Sequence, residues 1–288
     1  MQSRALVTMA RKKGGGGGRQ RARQRAQYDE LDKYPVMPPH AFARIVRDKQ
    51  TLNIIYQIIE PPLTKKEQEQ RDEIMDIFIR SLTANIEEID SNPEAYVRTA
   101  MDKVIKSYSM KINKKSKSKL FYYLRRDLIG YGKMDVLMND VNVEDVSLDG
   151  TNVPIFAYHR KFESVETTCV WETDEELESY VIKLAQRCGK HISVAEPLLD
   201  ATLMDGSRIV MKLGHEISTR GSAFCIRRFK DDPFSPADIV AFRTMSSLMV
   251  AYLWIAFQNE VPMLFVGGTA SGKTTTLNAM CIFIPWQM

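Results

Sequence analysis

Residues 263–277 read MLFVGGTASGKTTTL, and this run limits what the chain can fold into more than any other. Gly267 to Thr274 fits G-x-x-x-x-G-K-[ST] without a gap. Met263 to Val266 are four apolar residues in succession, the pattern of a fully buried strand, and Thr275 to Met280 can continue as a helix. Strand, glycine loop and helix in that order form the context of a phosphate-binding loop. Gly267 and Gly272 let the backbone curl so that successive N–H groups converge, and the helix N-terminus adds its dipole at the same anion. The candidate nucleotide-binding residues are therefore Gly267, Gly268, Thr269, Ala270, Ser271, Gly272, Lys273, Thr274 and Thr275. Lys273 is a point charge for the β- and γ-phosphates, and the Thr274 hydroxyl is a hard ligand for Mg²⁺. ATP and Mg²⁺ are the implied ligands. The competing reading is a chance match in a glycine-rich loop; strand, loop and helix standing in register weigh against it.

A P-loop does not hydrolyse by itself. A carboxylate for Mg²⁺ and a residue that positions water come from later strands of the same sheet. Fourteen residues follow Thr274, enough for one helix and no further strand. The C-terminal part is thus expected to be the start of a truncated core. Met263 to Val266 would be an unprotected edge, residues 261–288 would pack poorly, and turnover by this chain alone is not expected.

Upstream, the charge is unevenly spread. The chain of 288 residues has a formal charge of +4, yet residues 1–27 hold eight basic residues and no acid, and the rest holds 32 basic against 36 acidic. Residues 1–27, with Gly14 to Gly18 in a row, are expected to be a disordered basic tail. Residues 28–130 read as mainly helical. Tyr34 to His40 is a proline-punctuated extended segment, Thr64 and Glu67 form a capping box, and Ile74, Ile77, Phe78, Ser81 and Leu82 follow at helical spacing. A second helix is predicted over about 93–110, a lysine-rich exposed loop over 111–119, and a third helix from about 118 to 129.

Residues 131–232 read as an α+β domain. Asp149-Gly150 and Asp205-Gly206 each join two β-rich runs, and Ala223 to Phe229 is another strand. Between the hairpins, Leu177, Tyr180, Val181, Leu184, Ala185 and Cys188 lie on one helical face behind a Thr173 cap. Linker helices are expected from residue 233, the first started by Ser235, Pro236 and Asp238, the second over about 246–258. The fold class is α/β overall: a helical and α+β N-terminal part, then the first strand, P-loop and helix of a nucleotide-binding core.

Other classes are disfavoured. The cysteines, Cys169, Cys188, Cys225 and Cys281, show no metal-ligand spacing, which suits a reduced, cytoplasmic chain. The longest apolar run, Leu248 to Phe257, is half the roughly 20 residues of a membrane span and reads as a buried helix. The histidines His40, His159, His191 and His215 read as surface or core residues.

With these residues in view, GGTASGKTTTLNA resembles the P-loop of the secretion ATPases of type II and type IV systems, a superfamily that also drives assembly of archaeal flagella and type IV pili. GYGKMDVLMNDVNVEDVSLDG (130–150), LLDATLMDGSRI (198–209), RGSAFCIRRFKDDPFSP (220–236) and TMSSLMVAYLWIAFQNE (244–260) look like its archaeal branch. The resemblance covers roughly 120–284. It implies an N-terminal α+β domain, a linker and a RecA-like core, with nucleotide between the two domains. It also implies a hexameric ring, built from self or a full-length paralogue, under a polytopic membrane protein at the inner face of the membrane. Arginines of the N-terminal domain would close over the γ-phosphate; by motif position these are Arg208 and Arg227, with Arg220 and Arg228 behind them. The chain departs from the family after Phe283-Ile284-Pro285, as a frameshift, an interrupted gene or a split reading frame would produce. The alternatives are a non-enzymatic docking or scaffold module and an inactive gene fragment. Nucleic-acid binding through the tail ranks last, because no base-reading motif supports it.

Overall fold

Three three-stranded antiparallel meanders, laid edge to edge, make the sheet that organises most of the chain. The computed structural model describes residues 27–81, 92–228, 234–268 and 271–285. The chain divides into two compact units, residues 1–229 and 230–288. In the first, β1 (Tyr28–Met37), β2 (Ala41–Asp48) and β3 (Ile54–Ile59) form one meander. The second is β4 (Val143–Asp149), β5 (Pro154–His159) and β6 (Glu163–Val170), and the third is β7 (Leu198–Thr202), β8 (Arg208–Lys212) and β9 (Ala223–Arg227). The strand order is β1-β2-β3-β6-β5-β4-β9-β8-β7. Only the β3–β6 junction is parallel; β4 meets β9 antiparallel.

Helices fill the gaps between meanders. After β3 come α1 (Lys65–Ser81), α2 (Pro93–Ser107) and α3 (Lys114–Leu128), then the short α4 (Asp135–Asn139). The first three pack on Ile74 and Phe78, on Val97, Met101 and Val104, and on Leu120 and Leu124, each set at i, i+4 or i+7 spacing. Between the second and third meanders, α5 (Asp174–Arg187) lays Leu177, Val181, Leu184 and Ala185 on the sheet, the face predicted from spacing. Trp171, buried, packs with Tyr180 and Phe224 in a three-ring cluster, its centroid 4.8 and 5.9 Å from theirs.

Two expectations for this unit need correction. Residues 28–59 are strands, so the mainly helical reading of 28–130 holds only from Lys65 onward. The sheet also runs through the expected boundary at residue 130, because β3 completes its ladder on β6. The segment 111–119 is likewise not all loop. Asn113 caps α3 by accepting from the Ser116 amide at 2.7 Å, and Ser116 is buried with its hydroxyl donating to Glu67 Oε1 at 2.6 Å. Residues 1–26 of the expected tail, Leu82, and Asp231 to Pro233 lie outside the described residues.

The second unit holds α6 (Pro236–Ala241), α7 (Ser247–Gln258) and α8 (Lys273–Met280). Its small core is Ile239, Val250, Ala279 and Met280, with Phe234, Leu253, Phe257, Phe265 and Phe283 against it. Ser235 and Asp238 make the reciprocal capping box at α6. The expectation of a buried helix at Leu248 to Phe257 is overturned: α7 forms, but Leu248, Tyr252 and Ile255 are exposed and only Val250 is buried. A helix apolar all round needs neighbours on every side, and within this unit the core contacts lie on one. The buried strand expected at Met263 to Val266 is not formed either. Its side chains alternate, Met263 and Phe265 half-buried against Leu264 and Val266 at 88% and 81% exposure. The period is that of a strand, but none of the described segments gives it a ladder. Among the described residues no helix is long and apolar enough to cross a membrane.

Candidate nucleotide-binding site

The glycine loop leads directly into α8. Gly272 occupies the helix N-cap with φ +82°, a left-handed conformation that a side chain disfavours. The first helical bond runs from the Thr276 amide to the Gly272 carbonyl at 2.8 Å. The amides of Lys273, Thr274 and Thr275 therefore belong to the first turn, where N–H groups have no intrahelical partner. Gly267 is needed for space: a Cβ there would stand 2.6 Å from Ser271 Oγ. Ser271 Oγ donates to the Gly268 carbonyl at 2.9 Å, and Lys273 Nζ donates to that same carbonyl. The ammonium thus folds back over the loop and pairs with no carboxylate among the described residues. Thr274 and Thr275 are exposed, and Thr276 is buried. Thr269 and Ala270 lie outside the described residues.

These residues fit a polyphosphate. The loop offers first-turn amides without an intrahelical partner, an N-terminal dipole and a cation, with a glycine where a side chain would meet Ser271. The Thr274 hydroxyl is available to a hard cation carried by the phosphates. No group of three or more His, Cys, Asp or Glu that could hold a metal occurs among the described residues.

The arginines divide into two kinds. Arg208 on β8 and Arg227 on β9 are direct cross-strand partners, so their Cβ atoms are roughly 5 Å apart on one face of the sheet. Both side chains are open, at 71% and 80% exposure. Each has a counter-ion: Arg208 Nη2 meets Asp200 Oδ2 at 2.9 Å, and Arg227 Nε meets Asp145 Oδ1 at 3.1 Å. The Asp200 hydrogen bond pushes the Arg208 pKa up. Arg228 points the other way. Its Nη1 donates to the backbone carbonyls of Asp140 and, at 2.9 Å, Val143, and burial lowers its pKa. It ties β9 to the α4–β4 turn. Arg220 is exposed at the turn before β9, where its carbonyl closes on Gly150. The structure therefore brings Arg208 and Arg227 together, and it separates Arg228 from them.

Sequence reasoning missed a buried polar cluster. His159 Nδ1 accepts the Lys161 amide at 3.1 Å, so its proton sits on Nε2, which faces Tyr34 Oη at 2.9 Å. Tyr34 Oη donates to Asp140 Oδ2 at 2.6 Å, and Tyr56 Oη donates to the same oxygen at 2.7 Å. Asp140 Oδ1 accepts the Asn142 amide at 2.9 Å. Burial, with the Asp140 charge behind it, raises both phenols, and burial lowers the His159 imidazole. The cluster connects β1 to β5 and the α4–β4 turn although β1 shares no ladder with β5. The remaining histidines are peripheral: His40 bonds Ser118 Oγ at 3.0 Å, His215 meets Asp174 at 3.0 Å, and His191 is exposed. All four cysteines are free thiols.

No protein-family model matches the chain. It is 41% identical over 164 residues to the uncharacterized protein MJ1288 of Methanocaldococcus jannaschii, covering 57% of this chain and 65% of that protein. It is 32% identical over 256 residues to the uncharacterized protein MJ0900 of the same organism, covering 88% of this chain and 45% of that one. The chain thus spans less than two thirds of the length of these curated relatives. Among solved structures it is similar to the VirB11 ATPase of the Brucella suis type IV secretion system (TM-score 0.30, 20% identity, 54% of each chain). It is similar also to the Legionella pneumophila ATPase DotB (TM-score 0.30, 16% identity, 51% of this chain and 40% of that one).

Proposed function

We propose that this chain is a nucleotide-binding subunit of a secretion-type ATPase, of the kind that assembles type IV pili or archaeal flagella. The observation that carries the reading is the Gly267–Thr274 loop opening α8, with left-handed Gly272 at the cap and Lys273 folded over the loop. In this reading the first-turn amides and Lys273 hold the phosphates of ATP, and Thr274 completes the Mg²⁺ shell. Arg208 and Arg227 exchange Asp200 and Asp145 for the γ-phosphate; Arg220 plays a lesser part, and Arg228 holds β9 in place. The ring would be hexameric, formed with itself or a full-length paralogue, and would drive a polytopic membrane partner. The sequence resemblance over roughly 120–284 supports this. Titration calorimetry with Mg-ATP tests it: heat of binding is expected from the wild type and none from Lys273→Ala. Equal binding by both, or by neither, refutes the nucleotide role.

A second reading is favoured by one observation. Met263 to Val266 has strand periodicity without a ladder, whereas residues 28–228 hold a full core. On that basis the chain is a docking or scaffold module on a ring of paralogues. Co-purification with a full-length paralogue, undiminished by Lys273→Ala, is the result it requires.

A further inference from the structure

We propose that the lysine-rich end of the α1–α3 bundle is a docking surface for anionic phospholipid headgroups at a membrane face. The topology collects the charge. Glu67 in the first turn of α1 accepts from Ser116 in the first turn of α3, and Lys119 Nζ reaches the Pro62 carbonyl at 2.9 Å, so these two helices start side by side. α2 runs the opposite way and ends there, with Lys117 of α3 on Asp102 of α2 at 2.6 Å. Lys65 and Lys66 therefore share one end of the bundle with Lys103 and Lys106, and with Lys111, Lys114 and Lys115. All seven are exposed, and none makes an ion pair among the described residues.

The acids nearby do not balance them. Residues 99–124 contain seven lysines, one acid (Asp102) and no arginine. Asp102 is spent on Lys117, and Glu67, the one acid in the first turns of α1 and α3, is buried under Ser116 and the Thr64 amide. Lys114 and Lys115 moreover sit in the first turn of α3, where the helix dipole disfavours cations and no acid offsets them. A local rule broken several times on one surface, without internal compensation, points outward to an anionic partner.

The chemistry favours lipid over nucleic acid. Lysine is a compact point charge without arginine's planar fork, and no arginine lies among residues 99–124 to stack on or read a base edge. The one exposed aromatic of residues 99–119 is Tyr108, at 58% exposure, so there is no series of rings to stack bases. A single tyrosine beside half-buried Met110 and Ile112 is suited to the headgroup level of a bilayer, and clustered lysines to the surface potential of an anionic leaflet. The inference rests on the first unit alone and is independent of nucleotide binding.

The test is flotation of the full chain with vesicles of phosphatidylcholine plus phosphatidylglycerol, against phosphatidylcholine alone, at low and high salt. Each lysine near an anionic leaflet is worth roughly fivefold in partitioning. Replacing Lys103, Lys106, Lys114 and Lys115 together by Gln should weaken binding by more than about a hundredfold. The same four changed to Arg should retain it. The Gln variant should melt no lower than the wild type, because two of the lysines removed oppose the α3 dipole. A second variant, with the eight basic residues of 1–27 changed to Gln, should still float. The proposal is overturned if the wild type does not float, if only the tail variant loses binding, or if the Gln variant floats like the wild type. It is overturned also if the four lysines prove necessary for duplex DNA and not for vesicles.

Discussion

The Tyr56 hydroxyl is the place to test whether the buried cluster holds the sheet together. Tyr56 lies on β3, fully buried, and donates to Asp140 Oδ2 at 2.7 Å. Tyr34 on β1 is half-buried and donates to the same oxygen at 2.6 Å while facing His159. A hydrogen bond to a charged group contributes about 1.5–3 kcal/mol. Tyr56→Phe removes one without opening a path for water. Asp140 Oδ2 keeps the Tyr34 bond and Oδ1 keeps the Asn142 amide, so the loss belongs at the lower end, about 1.5–2 kcal/mol. For a chain of this size that lowers Tm by roughly 3–8 °C. Tyr34→Phe deletes two contacts, yet its site is open enough for water to replace them, and about 0.5–1.5 kcal/mol is expected. The deeper single bond should therefore cost more than the shallower pair. Thermal and urea unfolding followed by circular dichroism, with m unchanged, measures both. A Tyr56→Phe chain that melts with the wild type, or one less damaged than Tyr34→Phe, refutes the reasoning.

Three further outcomes are expected. Burial holds the His159 pKa below its ordinary value of 6.5, so its contribution to stability is complete above pH 6.5 and is lost as pH falls through the folded-state pKa; His159→Gln should flatten that part of a stability–pH curve, and an unchanged slope contradicts it. Ser116 Oγ, then the Thr64 amide, hold Glu67 at about 2, so its stabilisation is present above pH 4.5 and lost as pH falls through about 2; Ser116→Ala should move the Glu67 carboxyl resonance titration upward in NMR. Gly150 has φ +107°, and a Cβ there would stand 2.1 Å from the Arg220 carbonyl, so Gly150→Ala should cost at least about 2 kcal/mol in urea unfolding.

What could be read from the sequence follows how far apart the interacting groups are along the chain. The Thr64–Glu67 box, the Asp149-Gly150 and Asp205-Gly206 hairpins and the α5 stripe each involve residues a few positions apart, and all formed. The strands of 28–59 were missed for two reasons. β1 is an edge strand, YDELDKYPVM, whose charges and Pro35 hide its periodicity. β2 did carry a signal, Ala41, Ala43 and Ile45 inward with Phe42 and Arg44 outward, but alanine is a weak marker of a buried face. The parallel junction of β3 with β6 joins residues more than a hundred apart, and no local pattern announces it.

The candidate site shows the same division. The turn from Gly267 through left-handed Gly272 into α8, with Lys273 folded over it, was legible because the loop is built from consecutive residues, so its geometry is contiguous in sequence. The arginines were not equally legible. Arg227 and Arg228 are adjacent, and motif position alone treats them alike; the pleat turns one onto the open face and the other into backbone carbonyls. Their counter-ions come from Asp145 on β4 and Asp200 on β7, known only once β9 and β8 are placed between them. That placement has a chemical consequence. Both pairs are open to solvent, which screens them, so each carboxylate holds its arginine only weakly. Asp145 and Asp200 thus orient the two guanidiniums on the open sheet face without fixing them, whereas Arg228 is held by two buried carbonyls.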